Sequence, residues 1–481
     1  MRDAFPSQYL NLSYEELEEK NTVAKYGCEP GVGEDEQAAH FINYLSMDTQ
    51  IKAVMLCFSD LQGRLHTLDY DKKHFLHHHR MLLLDGGKIL GQRDAQQLYL
   101  RLQPDWGSFR WLPADVFGAG KVMIFATMSA LDGSAFALDC RTLLYNYVKD
   151  LKQKREIDTH ISLECEGFLL EGQNAEQNYR DETGFKLVSK GGYFHSLPQD
   201  PLRKFVDRLA GVKRALGFEN ERDQPEVAPS QFELNYRPFH ALGAADQLQL
   251  YKMLARQTAA NMGYTASFLA KPISGINGNG APCRISLTRK GADLFAGKGS
   301  KSNLSAEGEA FCQRVLSSAN DLSLVLSPSV NAYRRLDPDF KAPVQIKVTT
   351  HEPTSILTIP PVGEGHTVIQ VRCIAPDINP YLALYTLLRT GLEGSLTPRS
   401  AEVGGRRSRT RCIPDNIHDA IRHFRSSDWM TELLGHELKE EYVTQKQHTA
   451  WRSPKSLGSL VKESEVLYHH EITNQFLWSQ F

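Results

Sequence analysis

From residue 141 onward the sequence alternates between helical and strand-like segments, and this alternation limits the possible folds more than any other feature. Residues 141–155 (RTLLYNYVKDLKQKR) follow the helical period, and THISLECEGFLLEG is typical of a strand. LRKFVDRLAGVKRALGF predicts a helix that ends at a glycine, QFELNYRP a strand, and AADQLQLYKMLARQTAANMGY a further helix. The alternation continues to about residue 390, and the rest of the chain is mostly helical in pattern. We therefore predict a large domain of mixed helix and sheet.

The segment before this alternation predicts a smaller, strand-rich domain. Residues 51–70 (IKAVMLCFSDLQGRLHTLDY) alternate like strands around a DLQG turn, and residues 121–128 (KVMIFATM) predict another strand. Residues 1–35 are polar and end in the turn-rich EPGVGEDE, so we interpret them as a loosely held extension with one short helix. A chain of 481 residues also exceeds what one core usually holds. We therefore predict an extension over 1–35, a strand-rich domain over 36–135 and the larger domain over 136–481.

Composition and charge exclude several classes of protein. The formal net charge is −2, with both signs interleaved, which gives no electrostatic footprint for nucleic acid or an anionic membrane. Hydrophobic residues make up 41% of the chain and charged residues 23%, so a substantial core can form. No apolar run of about 18 residues predicts a membrane span, and the polar N-terminus does not resemble a signal peptide. The eight cysteines are scattered singly, which predicts a reducing cytoplasm and no disulfide framework.

Four glutamates in strand-like segments are the first candidates for chemistry. Glu164 and Glu166 stand in LECEGF, Glu226 in QPEVAP and Glu233 in SQFELNY. Alternate side chains of a strand share a face, so we expect Glu164 and Glu166 to project together. Converging carboxylates repel one another unless a cation compensates, and such oxygen-rich clusters suit Mg²⁺ or Mn²⁺. Spacing alone leaves open the alternative that all four are exposed strand residues.

A histidine-rich run suggests a second metal interpretation. It comprises His74, His77, His78 and His79. Zinc sites usually need ligands that converge from separate elements. We therefore interpret the run as a polar patch on a helix or loop.

The glycine-rich segment SGINGNGAPCRISL (274–287) follows the strand-like TASFLAKP. Loops of this type let backbone amides approach a ligand closely. No GKS or GKT follows, so the segment is not a Walker motif and is weak support for a ligand site by itself.

Several segments occur in an order that resembles a known family. They are DLQG, LLDGGKILG, LECEGF, EVAPSQFEL, AADQLQLYK, AKPISGINGNG, NAYRRLDPDFKAP and VRCIAPDINPYLAL. From about residue 50 to the C-terminus, they resemble the successive landmarks of glutamine synthetase and its γ-glutamyl–amine ligase relatives. The resemblance implies an α+β fold, with an N-terminal β-grasp-like domain and a C-terminal glutamine-synthetase catalytic α/β domain. It also implies active sites between neighbouring subunits of a homo-oligomeric ring, commonly a double ring such as a dodecamer.

By this resemblance, the chain keeps the family's first metal site and loses much of the second. The three glutamates that hold the first metal are all kept, as Glu166, Glu226 and Glu233. Glu164 matches one ligand of the second metal. The histidine of that second site, from the family's GSGMHVH, falls at Pro282, and its last glutamate, from IEVR, falls at Gln370. We therefore expect one Mg²⁺ or Mn²⁺ site instead of two.

The same resemblance argues against ordinary ATP binding. In the family the second metal helps to hold the ATP phosphates, and phosphoryl transfer depends on cations and fixed positive charge. The family's phosphate-contacting arginines, in NRSxxIRIP, fall at Pro353 and Thr358. The second histidine of GSGMHVH becomes Arg284. Arg335 and Arg372 are retained, at positions that contact phosphate and substrate in the family.

The ammonium end of the implied site is mixed. Asp85 matches the aspartate of the family's DGSS, which accepts a proton from ammonium across the subunit boundary, but the nearby second serine becomes Lys88. The flap glutamate of PGYEAP becomes Lys341, whose opposite charge would repel ammonium. Asn277 and Gly278 of the amino-acid-binding glycine loop are kept.

Two hypotheses follow. The preferred one is a glutamine synthetase-like protein without ordinary ATP-dependent glutamine synthesis, which binds a small amino acid or amine compound through Arg372, Asn277 and the three-glutamate site. Such a protein would act as a sensor, as a co-assembled partner of an active homologue, or as a catalyst of altered chemistry. The alternative is an active ATP-dependent γ-glutamyl–amine ligase acting on an unusual amine, with positive charge supplied by Arg284, Lys88 and Lys341.

Overall fold

The computed structural model describes residues 9–27, 33–89, 99–176, 184–297, 304–361, 366–397 and 411–451. Its helices are α1 (Tyr14–Tyr26), α2 (Glu34–Met47), α3 (Lys72–His78), α4 (Gly86–Ile89), α5 (Ala114–Phe117), α6 (Cys140–Arg155), α7 (Pro201–Ala215), α8 (Ala241–Asn261), α9 (Ala306–Ser317), α10 (Ala319–Leu326), α11 (Val330–Arg335), α12 (Pro380–Glu393), α13 (Ile417–Ser426) and α14 (Asp428–Trp451), with a 3₁₀ turn at Pro338–Phe340. Its strands are β1 (Ala53–Ser59), β2 (Leu65–Asp71), β3 (Leu82–Asp85), β4 (Tyr99–Trp111), β5 (Lys121–Ser129), β6 (Ile157–Leu163), β7 (Glu166–Glu171), β8 (Asn220–Pro225), β9 (Gln231–Tyr236), β10 (Tyr264–Ser267), β11 (Cys283–Arg289), β12 (Ala292–Asp293), β13 (Gln345–Thr349), β14 (Ser355–Thr358) and β15 (Ile369–Val371).

The N-terminal strands form a five-stranded sheet in the order β2-β1-β5-β4-β3. β1 pairs antiparallel with β2 and parallel with β5, so the strands predicted on either side of DLQG are confirmed. Asp60 closes the turn between β1 and β2, because its carboxylate accepts from the N–H groups of Gln62 and Arg64 at 3.0 and 2.9 Å. The assignment of this sheet to the β-grasp type, and the domain boundaries, stay predictions.

Helix α1 corrects the interpretation of residues 1–35 as loosely held. One short helix is present, but Leu17 is 1% exposed and Asn21 is fully buried. The Asn21 amide donates to the carbonyls of Trp111 at 2.9 Å and Ala215 at 2.7 Å. Because a buried amide with satisfied hydrogen bonds fixes its helix in place, α1 joins β4 to α7. Residues 1–8 and 28–32 of the predicted extension lie outside the described residues.

Two further sheets lie in the larger part of the chain. One has the order β10-β7-β9-β8, and the other has the order β12-β11-β15-β14-β13 with β6 also paired to β11. The predicted strand THISLECEGFLLEG is therefore two strands, since β6 belongs to the second sheet and β7 to the first. The break falls where the Glu164 and Glu166 N–H groups donate to the carbonyls of Pro282 and Gly280, both at 2.9 Å. The sequence pattern predicted that Glu164 and Glu166 share one strand face, and this prediction is wrong, because Glu164 lies between the two strands.

Helix α8 is the centre of the packing that holds these sheets. It contacts α6, α7 and α12 as well as β6 and β10, and most of its side chains are buried, as expected for a helix enclosed on all sides. The helices predicted from the patterns at α6, α7 and α8 are confirmed. Within the described residues, no helix is both long and apolar enough to cross a membrane. The seven cysteines there are all free thiols.

Candidate metal and ligand site

Three glutamate carboxylates converge at the edge of the sheet that contains β7 and β9. Glu166 lies directly opposite Glu233 on the neighbouring strand, and Glu226 follows the end of β8. One carboxylate oxygen from each of the three lies within 4.8 Å of the others. In the described ranges, no other group of three or more His, Cys, Asp or Glu side chains converges in this way. Three oxygens at this spacing fit a hard divalent cation such as Mg²⁺ or Mn²⁺.

Two glutamine side chains that the sequence reasoning missed orient these carboxylates. The Gln224 amide donates to Glu226 Oε1 at 2.6 Å and to Glu233 Oε2 at 3.4 Å. The Gln231 amide donates to Glu166 Oε2 at 3.4 Å. Gln224 lies two residues before Glu226 and directly opposite Glu233 in the sheet register. The two-residue spacing in an extended segment was a sequence signal that could have identified it.

The cluster holds more negative charge than its surroundings balance. Burial, followed by the proximity of Glu226, raises the pKa of Glu233 to about 8. Burial and then the charge of Glu233 raise the pKa of Glu166 to about 7, although Arg335 and the Gly280 N–H oppose this rise. Two ionised carboxylates this close repel each other, and each therefore raises the pKa of the other. The cluster favours a shared proton or a bound cation, because either one relieves this repulsion.

Glu164 has a different environment, although it is only two residues from Glu166. Its carboxylate accepts from the Gln370 amide at 2.8 Å and pairs with the Arg284 guanidinium at 3.4 Å. Thr358 donates its hydroxyl to the Gln370 carbonyl oxygen at 3.0 Å, which fixes the amide with its nitrogen toward Glu164. The pKa of Glu164 is raised by burial and by Glu233, and Arg284 opposes this rise. The protein itself therefore provides Glu164 with a positive charge and an amide donor.

The sheet register explains why these groups meet. Arg284 on β11 lies directly opposite Gln370 on β15, and Gln370 lies directly opposite Thr358 on β14. Opposed residues of neighbouring strands bring their side chains close enough for hydrogen bonds. Pro282 lies just before β11, and its carbonyl accepts from the Glu164 N–H. Four of the positions at which the family resemblance implies a replacement, namely Pro282, Arg284, Thr358 and Gln370, thus lie around Glu164.

The two retained arginines, Arg335 and Arg372, lie beside the glutamates. Burial lowers the pKa of Arg335, and the nearby charge of Glu166 opposes this change. Arg335 donates to the carbonyls of Ile374 and Arg372, both at 3.2 Å. Burial also lowers the pKa of Arg372, and the charges of Glu166 and Glu164 oppose it. Arg372 Nη1 donates to the Pro353 carbonyl at 2.8 Å, so the backbone at Pro353 occupies one of its donors.

The glycine loop approaches the site closely enough to require glycine. A Cβ atom at Gly278 would lie 2.3 Å from the Ala270 carbonyl oxygen, and one at Gly280 would lie 2.5 Å from Arg335 Nη2. Both distances are shorter than real Cβ contacts, so Gly278 lets the backbone pass close to the Ala270 carbonyl, and Gly280 lets it pass close to Arg335. The Gly280 N–H donates to Glu166 at 2.8 Å. Asn277 is half-buried in the same loop.

The remaining predicted site residues lie on other parts of the fold. Asp85 ends β3, an edge strand of the five-stranded sheet, whereas Glu166 and Glu233 lie on β7 and β9 of another sheet. Lys341 is exposed on a loop with φ of 54°. Pro353 is exposed as well. The side chain of Lys88 lies outside the described part of the structure.

The histidine-rich run is a helical surface. It lies on α3 and just after it, and three of its rings hydrogen-bond through Nδ1 to backbone carbonyls. These rings are His77 with Lys73 O at 2.6 Å, His78 with His74 O at 2.9 Å, and His79 with Leu76 O at 3.0 Å. The run contributes no member to the three-ligand group found in the described ranges.

Comparison with known proteins gives this geometry a family context. The family model described as glutamine synthetase, catalytic domain, matches residues 137–456. A glutamine synthetase of Methanosarcina mazei is 29% identical over 382 residues, which cover 76% of this chain and 83% of that protein.

Solved structures agree in fold. The cryo-EM structure of Plasmodium falciparum glutamine synthetase aligns with a TM-score of 0.77 at 18% identity, over 88% of this chain and 98% of its own. A complex of GmaS with ADP aligns with a TM-score of 0.73 at 22% identity, over 86% of this chain and 97% of its own. Identities this low show a shared fold of mixed helix and sheet and nothing about activity.

Proposed function

Because the chain belongs to the glutamine synthetase family, we propose that it is a member without ordinary ATP-dependent glutamine synthesis, which binds one divalent cation and a small amino acid or amine compound. The observation that supports this most is the environment of Glu164. The position where the family resemblance implies a second metal already contains the Arg284 guanidinium and the Gln370 amide.

The first cation fits the residues present. Glu166, Glu226 and Glu233 would hold Mg²⁺ or Mn²⁺, and the raised pKa values of Glu166 and Glu233 indicate that nearby arginines do not fully compensate the charge of these two carboxylates. Such an ion would supply positive charge to a carboxylate or another electron-rich group of the ligand. Gln224 and Gln231 keep the three carboxylates oriented toward one point.

A second cation and the ATP phosphates do not fit. Pro282 has no ligand atom, and the Gln370 nitrogen faces Glu164 as a donor. A cation at Glu164 would have to displace Arg284, and two positive charges there would repel each other. Thr358 is buried and bonded to Gln370, and Pro353 contributes only its carbonyl to Arg372. The described residues thus replace charged phosphate contacts with neutral or occupied groups, so no step through ATP is proposed.

The ligand would bind between the glycine loop and the two arginines. Asn277 offers an amide, and the remaining donors of Arg372 and the cation at the glutamates suit a carboxylate. Asp85 lies on the five-stranded sheet, so within this proposal it serves the site of a neighbouring subunit in a homo-oligomeric ring, or in a ring shared with an active homologue. Such a ring would act as a sensor, as the partner of an active homologue, or as a catalyst of altered chemistry that uses a single cation.

One observation favours a second candidate, an active ligase on an unusual amine. The Arg284 side chain is 38% exposed, so it could contact a ligand as well as Glu164. In that case Arg284, Arg335 and Arg372 would supply the positive charge that the second metal supplies elsewhere in the family. This candidate requires nucleotide binding, which the preferred function excludes.

Enzyme assays separate the two. Purified protein is incubated with glutamate, ATP, Mg²⁺ or Mn²⁺ and a panel of primary amines, ammonium included, and phosphate release is measured. The preferred function predicts no release above the background of the matched E166Q variant, together with saturable binding of one Mn²⁺ per chain. Turnover with any amine that E166Q abolishes would establish the ligase. Absence of Mn²⁺ binding would overturn the proposed cation site.

A further inference from the structure

Two histidines of the histidine-rich run are exposed on one face of α3. His74 and His78 are four positions apart, so the helical period places one side chain above the other. Their ring centres lie 4.2 Å apart, and the ring planes are 25° from parallel. The two zinc-binding histidines of the H-E-x-x-H motif have the same spacing on a helix. The pair therefore has the arrangement of a bidentate metal ligand.

The hydrogen bonds of the two rings leave a nitrogen available on each. His78 contacts the backbone carbonyl of His74 through Nδ1 at 2.9 Å. Because a carbonyl only accepts, Nδ1 carries the proton, and the lone pair of the neutral ring is on the exposed side at Nε2. Metal-binding histidines normally donate their other N–H to an acceptor of this kind. No hydrogen bond fixes the His74 ring within the described residues, so this ring is free to turn toward a shared ion.

The backbone that carries the pair is held in place. Asp71 caps the first turn of α3, because its carboxylate accepts from the Lys73 N–H at 2.9 Å. On the inner face, Phe75 is fully buried, and its ring contacts Trp106 edge-on with the ring centres 5.9 Å apart. The helix also packs against α2, β1 and β2. Ligands on a helix fixed in this way need little reordering to bind an ion.

The other two histidines of the run do not extend the pair to a closed site. The His77 ring centre is 6.4 Å from that of His78, and the His79 ring lies beside Trp106 at 6.1 Å. A closed zinc site needs four ligands around the ion. Since only two rings meet here, the pair would hold an ion at the surface with its remaining positions open to water.

We propose that His74 and His78 bind one transition-metal ion of the group Zn²⁺, Ni²⁺ and Cu²⁺. Metal–imidazole bonds are about 2.0–2.1 Å long, so two rings 4.2 Å apart reach the same ion once His74 turns. Imidazole nitrogen suits these ions, whereas Mg²⁺ and Mn²⁺ favour the oxygens of the three-glutamate site. The site is therefore independent of the proposed function, because it shares neither residues nor preferred ions with it.

Calorimetric titration of the full-length protein with NiCl₂ tests the pair, with saturating Mg²⁺ present to occupy the three-glutamate site. We expect saturable Ni²⁺ binding that depends on both histidines. In H74A and in H78A the affinity should fall at least about tenfold, since loss of an outer partner alone weakens metal sites about 10–100-fold. Electron paramagnetic resonance with less than one equivalent of Cu²⁺ gives the number of nitrogen ligands, which should be two in the wild type and one in each variant.

Matched variants separate the pair from general metal binding at the surface. H77A removes the neighbouring exposed imidazole and should keep the affinity within about twofold of wild type, because adjacent residues of a helix do not face each other. E233Q should leave Ni²⁺ binding unchanged. Ni²⁺ should raise the melting temperature of the wild type and of H77A but not of H74A or H78A. The proposal is overturned by no Ni²⁺ binding, by full affinity in H74A or H78A, by an equal loss in H77A, or by loss in E233Q.

Discussion

Two carboxylate environments a few ångströms apart balance their charge in opposite ways. Glu166, Glu226 and Glu233 converge on one point, and the pKa values of Glu166 and Glu233 rise to about 7 and about 8 although arginines lie nearby. Glu164 instead has Arg284 and Gln370 as built-in partners. The first group therefore favours a proton or a cation between its carboxylates, whereas Glu164 already has a positive charge beside it. The proposed function rests on this difference, with one cation at the first group and none at Glu164.

The largest expected effect is a difference in Mn²⁺ affinity between variants of the two carboxylate environments. In E233Q, Mn²⁺ affinity should fall by about 100-fold or more, because one of three ligand charges is lost. In E164Q it should stay within about threefold of wild type. Calorimetric titration with Mn²⁺ measures both variants. The free energy of unfolding should rise in E233Q, because the substitution relieves repulsion between carboxylates. It should fall in E164Q, because Arg284 loses its carboxylate partner. Equal losses of affinity would contradict the division into two environments.

A negative charge at position 370 should repel Glu164 and destabilise the fold. Q370E replaces the amide that donates to Glu164 at 2.8 Å with a second carboxylate. We expect the free energy of unfolding to fall by about 2 kcal/mol, as for a broken partly buried charged hydrogen bond. Chemical denaturation measures it.

The variant P282H/R284H/Q370E restores the ligand types that the family resemblance implies. It should recover this stability when Mn²⁺ is added and should bind two ions per chain. If Mn²⁺ does not stabilise the triple variant, the assignment of these positions to a second metal site is wrong.

The pH dependence of stability sharpens the comparison further. The folded pKa of Glu233 lies near 8, above that of an exposed glutamate, so the folded state binds more protons than the unfolded state between about pH 4.5 and pH 8. The stabilisation that protonated Glu233 contributes to the folded state is fully present below about pH 4.5 and is lost as the pH rises to about 8. Without metal, the wild type should lose about 2–3 kcal/mol relative to E233Q between pH 6 and pH 9. Saturating Mg²⁺ should remove the difference. Parallel profiles for the two proteins would count against a strained carboxylate cluster.

The smallest effect concerns Thr358, which only orients Gln370. T358A removes the 3.0 Å hydrogen bond to the Gln370 carbonyl oxygen, and should lower the free energy of unfolding by about 1 kcal/mol. Its Mn²⁺ affinity should equal that of wild type. A large drop in affinity would place Thr358 in the cation site.

The sequence predicted the parts of this site that depend on local pattern. Period and turn residues located β1, β2, β5 and the helices α6, α7 and α8, because hydrophobic spacing is a property of short segments. The order of family landmarks singled out the three glutamates that the sheet brings together.

Features set by contacts between distant segments were not predictable in the same way. Strand alternation placed Glu164 and Glu166 on one face, but pairing with Pro282 and Gly280 divides the strand between two sheets. The bonds from Arg284 and Gln370 to Glu164 depend on the register of β11 and β15. Likewise, the docking of α1 through Asn21 depends on carbonyls 90 and 194 residues away.

Counting bound Mn²⁺ in the presence of a millimolar non-hydrolysable ATP analogue tests the central claim most directly. Electron paramagnetic resonance gives the number of ions per chain, and equilibrium dialysis gives the bound nucleotide. We expect one ion at Glu166, Glu226 and Glu233, the same number with and without the analogue, and no nucleotide retained. Two ions per chain with one nucleotide would contradict the account, because both would have to bind where Arg284 and Gln370 now contact Glu164.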